Sequence, residues 1–121
     1  MKKLLLIVLI SLAGCAYIPS RWDANQAKNV TDIQQTARQL DCKSPAAGLD
    51  KLQNELQWFD LYATAKGTAD IAPLSATLTT TVTEFQERKK KEPVSPMYCE
   101  LKKKVMIQQA DIIARTVQGR F

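Results

Sequence analysis

Three cysteines, Cys15, Cys42 and Cys99, are the residues of this sequence best able to do chemistry. A thiol can attack a substrate, hold a metal, form a disulfide or accept an acyl chain. The sequence contains no histidine. It therefore has neither a Cys-His nor a Ser-His-Asp catalytic set, and we expect no metal site. No two cysteines have the Cys-x-x-Cys spacing of a redox pair.

The residues before Cys15 give its thiol a specific role. Lys2 and Lys3 precede an apolar run from Leu4 to Ile10. That run has the size of a secretory signal core and falls short of the roughly 20 residues of a membrane-spanning helix. It leads into Leu12-Ala13-Gly14-Cys15. This sequence resembles the lipobox of bacterial lipoprotein precursors, which are the substrates of signal peptidase II.

The resemblance implies cleavage between Gly14 and Cys15, followed by acylation of the Cys15 thiol and the new amino group with chains such as palmitate. Residues 1–14 would then be the signal peptide, 15–22 a lipidated tether and 23–121 a helical periplasmic domain. In the same family, Ala16 rather than aspartate after the cysteine implies the outer membrane. The alternative is a short apolar start that contains a cysteine by chance.

Acylation of Cys15 leaves two cysteines in an oxidising compartment. There we predict a disulfide between Cys42 and Cys99. No second apolar stretch could span a membrane, so the chain after Cys15 is expected outside the bilayer. Apart from the covalent lipid, we expect no cofactor.

Groups that could support catalysis without histidine are sparse. Hydrolysis by carboxylates alone needs two acids that face each other across a cleft. Glu55, Asp60 and Glu84 are expected to be exposed helix positions instead. The four glycines form no phosphate-binding loop. We therefore predict that this protein is not an enzyme.

Basic residues are concentrated in one part of the chain. The stretch from Arg88 to Lys104 has seven basic and two acidic residues, whereas Cys15 to Glu87 has six basic and nine acidic residues. Such a concentration suits an anionic partner, either a cell-wall polymer or an acidic protein surface, or else a solvated, solubilising face. Nucleic acid is not expected as a partner in the periplasm. The candidate partner-binding residues are Arg88, Lys89, Lys90, Lys91, Lys102, Lys103 and Lys104, with the aromatic Trp58 and Tyr62.

Four segments with helical periodicity would position these residues, and breakers separate them. Their predicted bounds are about 23–41, 44–67, 70–91 and 95–118. Asp23 is the expected N-cap of the first, with Gln26 at the capping-box position. Ser44 and Ser95, each followed by proline, are the expected N-caps of the second and fourth. Gly67 is the expected C-cap of the second.

The third segment combines strand-favouring residues with a helical apolar stripe, and the fourth carries a broad apolar face. Threonine-rich residues 77–83 favour a strand, but a helical stripe extends over fifteen residues and the strand alternation over only five. We therefore predict a helix there. The stripe consists of Ile71, Leu74, Leu78, Val82 and Phe85. The fourth helix presents a broad apolar face suited to the centre of a bundle, formed by Tyr98, Leu101, Val105, Met106, Ile112 and Ile113.

These helices predict an all-α fold, a small antiparallel four-helix bundle tied by one disulfide. In that topology the end of the first helix and the start of the fourth meet, which makes a Cys42–Cys99 bridge natural. The basic residues would gather at the same end, away from the tether. A groove between the second and third helices, near Trp58, Phe59 and Tyr62, is a further candidate site, although Phe59 suits the core.

Three classes of function follow from these predictions. The first is an outer-membrane lipoprotein that binds or scaffolds an envelope assembly. Its layout is similar to that of secretin pilotins, which are small, helical, lipidated and disulfide-bonded, although the likeness is one of architecture only. The second is a phage- or plasmid-encoded envelope lipoprotein acting in superinfection exclusion or lysis. The third is a structural lipoprotein that contacts the cell wall through its basic end.

Overall fold

The computed structural model describes residues 22–68 and 70–119, which contain four α-helices and no β-strand. The bounds are Ala24–Arg38 for α1, Ala46–Ala65 for α2, Ala76–Lys91 for α3 and Pro96–Gln118 for α4, with a short 3₁₀ helix at Ala72–Ser75 before α3. The prediction of an all-α fold with four helices is confirmed. The predicted signal peptide, the lipidation site Cys15 and the tether up to residue 21 lie outside the described residues.

Side-chain caps begin α1 and α4 as predicted. An Asp23 carboxylate oxygen accepts the backbone N–H groups of Asn25 and Gln26 at 2.8 and 3.1 Å. The Ser95 hydroxyl accepts the N–H of Tyr98 at 3.1 Å. The predicted capping box is wrong, because the side chain of Gln26 donates to the Thr68 hydroxyl at 3.2 Å instead. That buried bond joins α1 to the segment that follows α2.

The C-terminal end of α2 lies where it was predicted, whereas the end of α1 and the N-cap of α2 do not. α1 ends at Arg38, three residues before the predicted end. Ser44 does not cap α2; Pro45 occupies the N-cap position and makes no side-chain hydrogen bond there. Gly67 ends α2 with a φ of 70°, as predicted. The N–H of Thr68 reaches back to the carbonyl of residue 63 at 2.9 Å, which is the pattern of a Schellman motif.

The threonine-rich stretch is helical, which confirms the prediction for α3. The hydroxyls of Thr80, Thr81 and Thr83 each donate to the carbonyl oxygen four residues earlier, at 2.9 to 3.1 Å. The α-helix begins only at Ala76, later than predicted, and a 3₁₀ turn that contains Pro73 precedes it. Tertiary burial decides the conformation: Leu78, Val82 and Phe85 all point into the core.

One apolar core joins the four helices. α1 and α3 each pack against both α2 and α4. Gly48 allows a close approach at the start of α2, since a Cβ there would lie 2.7 Å from the Leu40 side chain. The largest side chains of the core are those of Phe59, Phe85, Ile33, Leu49, Leu52, Leu56, Ile71, Leu78, Met106 and Ile113.

α4 carries apolar residues on two faces, and only one of them is buried. The buried face consists of Cys99, Met106, Ala110, Ile113, Ala114 and Val117. The prediction that Leu101, Val105 and Ile112 belong to the core is wrong. The exposed fractions of these residues are 59, 40 and 52 %. A broad apolar arc on a single helix does not reveal which part of it faces inward.

The predicted disulfide is present between Cys42 and Cys99, with 5.7 Å between the two Cα atoms. It joins the loop after α1 to the first turn of α4. Further along the same pair of helices, Arg38 contacts Asp111 at 2.8 Å, and Thr31 accepts from Gln118 at 3.1 Å. The cysteines have a sequence separation of 57, so loop closure stabilises the fold by about 4 kcal/mol in the chain-entropy model.

Candidate partner-binding surfaces

An open groove of about 460 Å³ lies beside the disulfide. We call it the basic groove. The loop after α1, the end of α3 and the loop before α4 form its walls. Its lining residues are Cys42, Lys43, Pro45, Lys89, Lys90, Lys91, Glu92, Pro93, Val94 and Cys99. Four lysines and a single glutamate make it strongly cationic.

Three of the lysines in the basic groove form no ion pair with a carboxylate in the described part of the chain. Lys43, Lys89 and Lys91 are exposed, and no carboxylate from residues 22–68 or 70–119 lies within 4.0 Å of them. The fourth, Lys90, contacts Glu87 at 3.2 Å, an exposed pair of small energetic value. Cations in the last turn of α3 also stabilise the helix dipole, so part of this concentration has a local structural cause.

Two more of the predicted cations lie around Tyr98 rather than in the basic groove. The Arg88 guanidinium is 4.5 Å from the centre of the Tyr98 ring, and the Lys102 ammonium is 5.7 Å from it. Arg88 also contacts Glu92 at 3.5 Å, and Lys102 contacts Glu84 at 3.8 Å. These cations are engaged in the contact between α3 and α4.

Lys103 and Lys104 are not among the residues that line the basic groove. Successive helical residues are 100° apart, so Lys104 lies about 200° around α4 from Lys102. The seven predicted cations are therefore divided: Lys89, Lys90 and Lys91 line the basic groove, Arg88 and Lys102 lie beside Tyr98, and the other two lie elsewhere on α4. Lys104 is exposed, whereas Lys103 is half-buried on the side of α4 that carries Cys99 and Ala110. The sequence identified the basic region but not Lys43, which joins it from the loop that carries Cys42.

Trp58 and Tyr62 lie beside α1, not in a groove between α2 and α3 as the sequence suggested. Their rings are stacked, with centroids 4.5 Å apart. The Tyr62 hydroxyl donates to Asp23 at 3.0 Å and accepts from Asn25 at 3.1 Å. Trp58 remains 43 % exposed, whereas Phe59 is fully buried, as expected.

The exposed indole borders a second groove, between α1 and α2, with a volume of about 420 Å³. We call it the Trp58 groove. Its other lining residues are polar: Lys28, Asn29, Asp32, Lys51, Asn54 and Glu55. These residues precede Trp58 on α2 or belong to α1, whereas Tyr62 follows Trp58. Tyr62 is not among the residues that line this groove.

Glu55 is not the exposed helix position that we predicted. The hydroxyl of Thr36 donates to one carboxylate oxygen, and the other oxygen is buried without a partner in the described part of the chain. Burial raises the pKa of Glu55. The side-chain oxygen of Asn29 is likewise buried and unpaired. Asp60 is also half-buried and accepts from the hydroxyl of Ser75, whereas Glu84 is exposed as expected.

Comparison with protein-family models, curated proteins and solved structures finds no match for this chain. Across residues 22–68 and 70–119, no helix has both the length and the apolarity to cross a bilayer. The same residues contain no group of three or more cysteine, aspartate or glutamate side chains placed to hold a metal ion.

Proposed function

We propose that this chain is the precursor of a small helical lipoprotein anchored in the outer membrane, where it acts as a binding or scaffold accessory of an envelope assembly. The observation that carries the binding role is the basic groove. There, Lys43, Lys89 and Lys91 lie beside a disulfide without a carboxylate partner in the described part of the chain. A cationic concavity of this kind suits an anionic partner.

The anchor in this proposal is the acylated Cys15. Cleavage before it would leave 107 of the 121 residues. Two or three acyl chains hold a protein stably, since each buried methylene contributes roughly 0.8 kcal/mol. The lipobox and the preceding apolar run support this step. The proposal includes no catalytic role, metal, nucleic acid or cofactor apart from this lipid.

The proposed arrangement of the helices is an antiparallel up-down-up-down bundle. Paired contacts support it: Thr31 with Gln118, Arg38 with Asp111, and Cys42 with Cys99. α1 has 15 residues and is about 22 Å long. The basic groove therefore lies one helix length from Asp23, where the tether enters, and remains accessible from the periplasm.

Charge reversal in the basic groove tests the binding role. We expect Lys89→Glu with Lys91→Glu to lower binding of the processed protein to its envelope partner by at least about tenfold. The measurements are co-sedimentation with purified cell wall and quantitative co-purification from solubilised membranes. Lys66→Glu with Arg115→Glu is the matched control, because it makes the same charge change at two exposed cations that line neither groove.

The two measurements also separate the candidate partners. Loss of co-sedimentation alone favours a structural lipoprotein that contacts the cell wall, whereas loss of a co-purified protein favours the accessory role. Equal binding by the parent and both double variants would contradict the proposal and leave the basic groove as a solubilising surface.

A further inference from the structure

The outer side of α4 carries an apolar stripe that no part of the described chain covers. Met97, Leu101, Val105 and Ile112 are 74, 59, 40 and 52 % exposed. Their spacing places them on one side of the helix, opposite the buried face, over a length of about 22 Å. We call them the α4 stripe. Contiguous exposed apolar surface on a small domain marks an interaction site.

We propose that the α4 stripe binds the α4 stripe of a second copy of this chain, with the two helices antiparallel about a twofold axis. The positions Leu101, Val105, Gln108 and Ile112 follow one another at steps of four, three and four residues, as in a helix–helix seam. In an antiparallel pair, Leu101 faces Ile112 of the second copy and Val105 faces Gln108 of the second copy. Each contact occurs twice, as a twofold interface requires.

Charge complementarity favours this register. Lys104 and Asp111 each immediately precede a stripe residue, so both lie on the same border of the α4 stripe. In an antiparallel pair, this border of one helix meets the same border of the second helix. Lys104 of each copy therefore lies opposite Asp111 of the other copy. In a parallel pair this border would meet the opposite one, where Gln109 and Thr116 offer no charge.

Asp111 can take this additional partner. It already accepts from Gln34 at 2.9 Å and from Arg38 at 2.8 Å, through different oxygens. A carboxylate has about four acceptor sites, so a lysine of a second copy can be added. The Arg38 guanidinium lowers the pKa of Asp111 and keeps it ionised.

The chemistry of the α4 stripe is less suited to a membrane surface. Helices that lie on a bilayer combine a cationic border with large aromatic or leucine-rich faces. The four exposed apolar residues of the α4 stripe include no aromatic side chain. The border that carries Lys104 is of mixed charge, because the ionised Asp111 lies there with Arg115 beside it. In the antiparallel pair the two tethers leave from opposite ends. If the proposed function holds, the dimer lies with its long axis parallel to the membrane. Each tether of about seven residues then reaches at most about 25 Å towards the leaflet.

Site-specific cross-linking in membranes tests both the pairing and its register. Differently tagged full-length chains that carry Leu101→Cys or Ile112→Cys are produced together and treated with a short bis-maleimide. We expect the mixed pair to give a covalent dimer. The Leu101→Cys chain should not link to itself, because its two sites would be about 16 Å apart along the helices. Lys104→Glu in both chains should lower the mixed product by about tenfold, because two carboxylates then face each other.

Leu61→Cys on α2 is the control, since Leu61 is 73 % exposed and lies away from α4. If the mixed pair gives no covalent dimer, the proposal is overturned, and the α4 stripe then contacts lipid or residues 16–21 instead. Efficient self-linking of Leu101→Cys overturns the antiparallel register, and equal linking of Leu61→Cys indicates random collision. The native disulfide, checked by non-reducing electrophoresis, shows that each variant has folded. The parent chain without an engineered cysteine is treated in parallel, so that any product formed through an unacylated Cys15 is measured and subtracted. Cell lysate is treated as well as membranes, so the readout needs neither acylation nor a basic-groove partner. A failure of the pairing is then distinguishable from a failure of the proposed function.

Discussion

Glu55 lies at the border between solvent and core, where α1 contacts α2. One oxygen accepts from Thr36, and the other is buried without a donor in the described part of the chain. Ionisation there costs free energy because water is partly excluded. The group therefore links the stability of the α1–α2 contact to pH.

The expected consequence is a pH-dependent effect of Glu55→Gln. Burial raises the pKa of Glu55 in the folded state. Its contribution to stability is therefore complete below the unfolded pKa and is lost as pH rises through the folded pKa. Glutamine stays uncharged, so the variant should gain stability over the parent between about pH 4 and pH 7. Urea unfolding at both pH values measures this difference.

Glu87→Gln, on the exposed side of α3, is the control and should show no comparable gain. An identical stability difference at both pH values for Glu55→Gln would contradict the assignment.

Sequence periodicity identified the buried stripe of α2 but not the polar groups at its border. Glu55 precedes the buried Leu56, and its environment depends on Thr36, which another helix supplies. Gln26 was similarly misread, because its partner Thr68 lies 42 residues away. Local pattern carries no information about such long-range partners.

At the scale of elements, α3 shows tertiary packing overriding intrinsic preference. Its threonines disfavour a helix, yet Leu78, Val82 and Phe85 are buried together only if the segment is helical. The fifteen-residue stripe was therefore a better guide than composition. The residue at which α3 begins and the face of α4 that is buried could not be predicted from periodicity. Both depend on how the helices dock.

Replacing exposed threonines of α3 should stabilise the protein. We expect Thr80→Ala and Thr83→Ala to raise the free energy of unfolding by about 0.5 kcal/mol each, because alanine has the higher helix propensity. Chemical denaturation measures the change. Thr80→Val with Thr83→Val is the control, since valine keeps the branched side chain and should give no gain. Destabilisation by the alanine variants would show that the threonine side chains make contacts that this account lacks.

At the scale of the whole molecule, the disulfide connects the fold to the candidate site. Cys42 and Cys99 join the loop after α1 to α4, and the same loops form the basic groove. The sequence predicted the helical class and the bridge because both depend on strong local signals and on the number of cysteines. The division of the basic residues among three places was not predictable, since it depends on the direction in which each helix face points.

In the proposed function, acylated Cys15 holds the helical domain at a membrane. The most direct measurement is mass spectrometry of the N-terminal peptide of the native protein purified from membranes. We expect a chain that begins at Cys15, with a diacylglyceryl group on the sulfur and an acyl chain on the amino group, whereas the Cys15→Ser precursor should be unprocessed and carry no lipid. A native chain that begins at Met1 with a free Cys15 thiol would contradict it.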